Sequence, residues 1–221
     1  MRRSTPDFSV AILVGGKSRR MGADKALLPV DGRPIIQRVM ETVRTVAADV
    51  ILVGASAHTH AWLGGRAVED LVPEGGPLAG IYTALSAARF HHCLVVACDM
   101  PFLNARLLRH MHRRATSWDV VVPRLDGHLE PLHAVYSRAC LEPIATMLGQ
   151  GRLCPLDLYP MVRTDYLEAQ EIALFDPDYR SFINLNTPAD LARAQRMAHG
   201  SQRPRPSPNF RITDMIVPET H

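Results

Sequence analysis

The chain has 221 residues, 47% of them hydrophobic and 21% charged, the composition of a globular protein long enough to bury a sizeable core. A formal net charge of +3 is too small to point to nucleic acid or a membrane surface, so local charge carries more information than the total. No apolar run approaches the roughly 18 residues of a membrane span, the start has no signal-peptide core, and Cys93, Cys98, Cys140 and Cys154 form no CxxC pair; the expectation is a cytoplasmic protein with reduced thiols.

In chain order, the apolar run at 8–14 reads as a buried strand, and it leads into Leu13-Val14-Gly15-Gly16-Lys17-Ser18-Arg19-Arg20-Met21-Gly22-Ala23-Asp24-Lys25. Gly16-Lys17-Ser18 does not make a P-loop, because that pattern needs a glycine five residues before Gly16, where Ala11 stands. Gly-x-Gly-x-x-Gly is absent too. What remains is a long loop at the carboxyl end of a strand, where open α/β sheets bind ligands. Gly15 and Gly16 let a flat base or a phosphate approach the backbone. Four cations (Lys17, Arg19, Arg20 and Lys25) against Asp24 leave a local charge of +3, which three or four phosphate charges would match.

Helical spacing then predicts helices at 35–47, 78–89 and 103–115, between apolar strands at 50–53, 93–97 and 120–123 and a short strand ending at Glu69-Asp70. Such alternation implies a Rossmann-like α/β fold, a mostly parallel sheet with helices on both faces. Asp126-Gly127 between apolar runs predicts a hairpin and one small antiparallel excursion. Late in the chain, Asn184 and Asn186 fall on alternate residues of a predicted strand and so on opposite faces. Thr187 then caps a helix to about Met197, with Pro188 in its first turn and Asp190 at the capping-box position. Residues 1–200 read as a single domain, and the Pro- and Arg-rich 201–221 as an extended or disordered tail.

Asp99 lies just past the strand at 93–97. A carboxylate there suits either Mg²⁺ beside a triphosphate or the cap of a helix beginning near Phe102. Gly75, Gly76 and Gly80 lie where the chain enters the second helix, whose N-terminal amides would point into the same crevice. The pairs His58/His60, His91/His92 and His110/His112 lack zinc-site spacing and read as surface positions.

Taken together, Leu13-x-Gly15-Gly16-x-Ser18-x-Arg20-Met21-Gly22-x-Asp24-Lys25, then Leu27, Gly32 and Pro34, then EDLVPEGGPLAG at 69–80, CDMPFL at 98–103 and FINLNTPADL at 182–191 resemble the nucleotidyltransferases, and more narrowly the molybdenum cofactor guanylyltransferases. These blocks span nearly the whole chain. The resemblance implies transfer of GMP from GTP to the phosphate of Mo-molybdopterin, with Mg²⁺ as cofactor and Asp99 as its ligand. It implies that Arg20, Lys25 and Asp99 are catalytic and that Leu13, Val14, Gly15, Gly16, Lys25, Asp70, Gly80 and Asp99 bind GTP, Asp70 at the guanosine. Asn184 and Asn186 are further polar candidates, and Pro131 and His133 are candidates on the acceptor side. Val53-Gly54-Ala55-Ser56 stands where guanylyl members often carry an asparagine, leaving the base to Ser56 or backbone, and Val14 replaces a usual alanine. Gly15 matches the guanylyl branch, whereas cytidylyl relatives place alanine there. A cytidylyl- or sugar-phosphate nucleotidyltransferase, and a GTP-binding adaptor without turnover, are the alternatives. Expected partners are the two substrates and, transiently, other cofactor-biosynthesis or molybdoenzyme proteins, with neither nucleic acid nor membrane.

Overall fold

A computed structural model describes residues 8–14, 25–54 and 57–198. Gly15, Gly16, Arg20, Ser56 and the tail at 201–221 therefore lie outside the described residues. In chain order the elements are β1 (Ser9–Leu13), β2 (Pro29–Val30), β3 (Arg33–Pro34), α1 (Ile35–Arg44), β4 (Asp49–Val53), β5 (Arg66–Val68), α2 (Gly76–Ala87), β6 (His92–Ala97), α3 (Ala105–Arg114), β7 (Val120–Leu125), β8 (His128–Leu129), β9 (His133–Ser137), α4 (Leu141–Gly149), β10 (Thr164–Glu168), α5 (Ala169–Ala173) and α6 (Pro188–Ala198). Among them no helix is long and apolar enough to cross a membrane.

The fold is α/β, with a mostly parallel sheet in the order β10-β7-β9-β6-β1-β4-β5 and β8 paired to β7. Central β1 runs parallel to both β4 and β6. Its sequence, Ser-Val-Ala-Ile-Leu, is apolar on both faces because both are covered. On one face Val10 and Ile12 join Ile35, Ile36, Val39, Met40 and Val43 of α1 and Leu107, Leu108 and Met111 of α3. On the other, Ala11 meets Leu78, Ile81 and Leu85 of α2 and Ile144 and Met147 of α4.

The antiparallel excursion sits in the middle of the sheet. β7 turns through Asp126 (φ 49°) and Gly127 (φ 80°) into β8. The chain then returns as β9, wedged antiparallel between β6 and β7. A second, unpredicted hairpin joins β2 to β3 through Asp31 (φ 54°) and Gly32 (φ 71°), the left-handed pair of a tight turn.

Several expectations need correction. The segment at 183–186 is no strand: the Leu185 amide donates to the Asp99 carbonyl at 3.1 Å, and the segment crosses the end of β6 instead of joining the ladder. Asp99 caps no helix. Asn104 does, accepting from the Arg106 and Leu107 amides at 2.9 and 3.2 Å, so α3 starts later than read. The histidine pairs are not all at the surface: His60 is buried, His112 stacks on Phe8 at 3.9 Å, and His110 bonds Glu171 at 2.6 Å. The predicted capping box is present, with Thr187 Oγ1 accepting from the Asp190 amide at 3.1 Å and Asp190 Oδ2 accepting from the Thr187 amide at 2.8 Å.

Candidate active site

The carboxyl ends of β1, β4, β5 and β6 are tied into one shelf. The Val14 amide donates to the Val53 carbonyl at 2.7 Å, the Cys98 amide to Leu13 at 3.2 Å, and the Gly54 amide to Val68 at 3.0 Å. A crevice beside this shelf is where an open α/β sheet holds its ligands.

Three side chains from distant parts of the sequence meet there. Lys25 opens a short 3-10 turn at Lys25–Leu27, the first described residues after the glycine-rich segment. Its Nζ donates to Asp99 Oδ2 at 2.9 Å and to Asn186 Oδ1 at 2.6 Å. The lysine and aspartate side chains are only 12% and 19% exposed, so the pair is largely shielded from solvent. Asn186 is placed by the crossing at Leu185 and by Asp190 Oδ2, which accepts from the Asn186 amide at 3.0 Å. Asn184 is half-buried in the same segment; Lys25 bonds Asn186 and not Asn184.

Asp99 Oδ1 is buried and has no hydrogen-bond partner. The contrast with Asp49, at the opposite end of the sheet, is informative. Asp49 accepts from Ser9 Oγ, from two nitrogens of Arg66 and from the Arg89 amide. Burial pushes its pKa up, but the Arg66 and Ser9 bonds outweigh that and hold it below the ordinary value. Asp49 is a completed structural anchor, whereas Asp99 has an oxygen left over. A hard cation that takes oxygen ligands suits that spare acceptor. Among the described residues no three His, Cys, Asp or Glu side chains gather into a ready-made metal cage.

Glu130, which the sequence reading passed over, is the other acidic group here. It is 7% exposed on the connection from β8 to β9. Burial, and secondarily the charge of Asp99, push its carboxyl up to about 7. Its signal was a charge inside the apolar run Leu129-Glu130-Pro131-Leu132, a place where an unpaired carboxylate is costly.

The other candidates divide. Asp70 follows β5 and is half-buried, and burial raises its pKa. The Leu71 amide next to it donates to Thr83 Oγ1 at 3.0 Å, pinning this loop to α2. Gly80 is buried under the shelf: a Cβ there would lie 2.9 Å from Leu13 Cδ1, so the glycine lets α2 close against β1. Val53 is 1% exposed in the core, so its side chain cannot meet a base.

Pro131 is buried and its carbonyl accepts from the Tyr136 hydroxyl at 2.8 Å. His133 is fully buried and packs on the Phe182 ring at 4.5 Å, so it is a core residue, not a surface of the acceptor side. Neither of its ring nitrogens has a hydrogen-bond partner, and burial lowers its pKa to about 3. Below the ordinary value of 6.5 the unfolded chain takes up a proton that the folded chain refuses. Stability is therefore full above pH 6.5 and falls as the pH drops towards 3, by up to about 1.4 kcal/mol per pH unit from this group. Urea titrations between pH 7.5 and 5 should show a shallower decline for His133→Phe than for the native chain. Equal declines would dismiss this histidine as the source.

The profile of the MobA-like NTP transferase domain matches residues 10–161. The chain is 44% identical over 194 residues to a probable molybdenum cofactor guanylyltransferase of Pelotomaculum thermopropionicum, covering 88% of this chain and 95% of that protein. It is 38% identical over 188 residues to a molybdenum cofactor guanylyltransferase of Desulfosudis oleivorans, covering 83% and 92%. Among solved structures, molybdopterin-guanine dinucleotide biosynthesis protein A from Archaeoglobus fulgidus superposes with a TM-score of 0.76 at 29% identity, over 87% of this chain and 99% of that one. A 2-C-methyl-D-erythritol 4-phosphate cytidylyltransferase from Thermus thermophilus, 21% identical with a TM-score of 0.67 over 87% and 99% of the two chains, shares the fold.

Proposed function

This chain belongs to the MobA-like NTP transferase family, and from that premise we propose that it transfers GMP from GTP to the phosphate of Mo-molybdopterin. A terminal phosphate oxygen of the pterin attacks the α-phosphorus of GTP, the bond from that phosphorus to the β-phosphate oxygen breaks, and pyrophosphate departs with the electron pair. The product is the guanine dinucleotide form of the cofactor. The relatives named above support guanylyl transfer over the cytidylyl and sugar-phosphate alternatives.

The observation that carries the reading is the meeting of Lys25, Asp99 and Asn186 at the strand ends. A phosphate monoester has a second pKa of about 6 and is largely dianionic at neutral pH, so no strong base has to prepare it. The difficulty is bringing a dianion to a polyanion. Lys25 supplies a fixed positive charge for the triphosphate, Asn186 orients that ammonium, and the Leu13–Val14 backbone with Asp70 frames the nucleoside. Arg20, by resemblance, adds a second cation. Asp99, through its unpartnered Oδ1, would hold Mg²⁺, which would neutralise phosphate charge when bound. Positioning and preorganised charge then account for most of the barrier reduction. Handing over the product implies transient contact with other cofactor-biosynthesis or molybdoenzyme proteins.

The test is to incubate the full chain with Mg²⁺, Mo-loaded pterin and each of the four nucleoside triphosphates, following pyrophosphate and identifying the pterin product. Guanine dinucleotide formed from GTP alone is the expected result. Preference for CTP rejects the guanylyl reading, and tight GTP binding without pyrophosphate release rejects enzymatic transfer.

A further inference from the structure

We propose that Thr83 is a positioning residue for the nucleoside: its hydroxyl holds the backbone that aims the Asp70 carboxylate. The inference rests on the reading of Asp70 as a nucleoside contact and adds the residue that places it.

The hydroxyls carried by the described α-helices behave in one way, and Thr83 in another. Thr42 on α1, Ser86 on α2 and Thr146 on α4 each donate to the carbonyl four residues back, at 3.2, 2.8 and 3.1 Å. That is the ordinary local bond of a serine or threonine inside a helix. Thr83 is fully buried on α2, and its Oγ1 instead reaches out of the helix to accept from the Leu71 amide at 3.0 Å, twelve residues away in the chain.

What this bond holds is the chain beside Asp70. Two ties bracket that residue. On one side the Gly54 amide donates to the Val68 carbonyl at 3.0 Å; on the other is the bond from Leu71 to Thr83. Little else fixes it. Glu69, Leu71, Pro73 and Glu74 are exposed, so side-chain packing grips this loop weakly. Among the described residues no hydrogen bond or ion pair holds the Asp70 carboxylate, and burial alone raises its pKa. A carboxylate with no partners of its own points where its backbone points. An acceptor that has to meet ribose hydroxyls or a base edge depends on that aim.

Calorimetric titration of the full chain with Mg²⁺-GTP, and separately with inorganic tripolyphosphate, tests this without turnover. Thr83→Val keeps the shape and removes the acceptor. It should weaken GTP binding by about three- to tenfold, the effect of losing one hydrogen bond. Tripolyphosphate has no nucleoside to be aimed at, so its binding should stay as it is in the native chain. Thr83→Ser keeps the hydroxyl and should bind GTP as the native chain does. Native GTP affinity in Thr83→Val, or an equal loss in Thr83→Ser, overturns the inference. So does a matching loss of tripolyphosphate affinity, which would mark a general disturbance of the site. Asp70→Ala, measured alone and combined with Thr83→Val, separates the two claims. If Thr83 acts through Asp70, adding Thr83→Val to Asp70→Ala should cause no further loss of GTP affinity; full additivity overturns the role of Thr83 and leaves that of Asp70. Native GTP affinity in Asp70→Ala removes the reading of Asp70 and the inference with it.

Discussion

Asp99→Ala is expected to lower Mg²⁺-dependent pyrophosphate release from GTP by at least about 10²- to 10³-fold, the loss associated with removing one preorganised electrostatic contact. The substitution removes both carboxylate oxygens, the one bonded to Lys25 and the one left unpartnered. The fold should persist, because the Asp99 contact that fixes the crossing segment is made by its backbone carbonyl to the Leu185 amide. Circular dichroism and the unfolding midpoint should therefore stay close to native while turnover collapses. Near-native turnover with intact structure would remove Asp99 from the mechanism.

Lys25→Ala is expected to cause a loss of the same order, by a different route. Without the ammonium, Asp99 and Asn186 lose their common donor, and the crevice presents bare carboxylate to the incoming triphosphate. Two unit charges about 4 Å apart interact by about 4 kcal/mol at an effective dielectric constant of 20, so the change from attraction to repulsion is large even after screening. The GTP concentration for half-maximal rate should rise together with the fall in turnover. Lys25→Arg restores the charge but not the compact geometry of an ammonium shared by two acceptors, and should recover only part of the rate. A Lys25→Ala protein that turns over at the native rate would contradict the assignment.

Much of this architecture was legible in the residues. The strands at the centre announced themselves as short runs apolar on both faces, and α1 as Ile35, Ile36, Val39, Met40 and Val43 on one stripe. The Asp126-Gly127 turn and the Thr187–Asp190 cap were readable because each is a local hydrogen-bonding device that needs no tertiary context. Asp31-Gly32 carried the same turn signal, but its strands are two residues long and show no alternation. Asn186 was singled out while its backbone was misassigned, because a polar segment crossing strand ends and a short strand look alike in sequence. β10 and α4 were not predicted: β10 is only partly covered at the sheet edge, so its apolar pattern is faint. Glu130 went unseen for a different reason. Its burial comes from long-range packing of the β8–β9 connection, which no local pattern encodes. His133, an acceptor-side candidate in the sequence, is a fully buried core residue, because its place on β9 is set by strand pairing that the local pattern does not show.

The placement of β9 has a consequence for how the chain comes to be folded. Among the described residues, β7 and β10 connect to the rest of the sheet only through β9, which is made after β6 and β7 but sits between them. A nascent chain that has emerged only as far as β7 holds two open strand edges with nothing yet to bridge them. The sheet becomes continuous when 133–137 slots in, and the turn at 130–133 brings the buried Glu130 in with it. Completion of the hydrophobic core and assembly of the acidic face thus coincide in one late, long-range closure, of the kind that makes folding slow and leaves exposed edges prone to mispairing until it occurs.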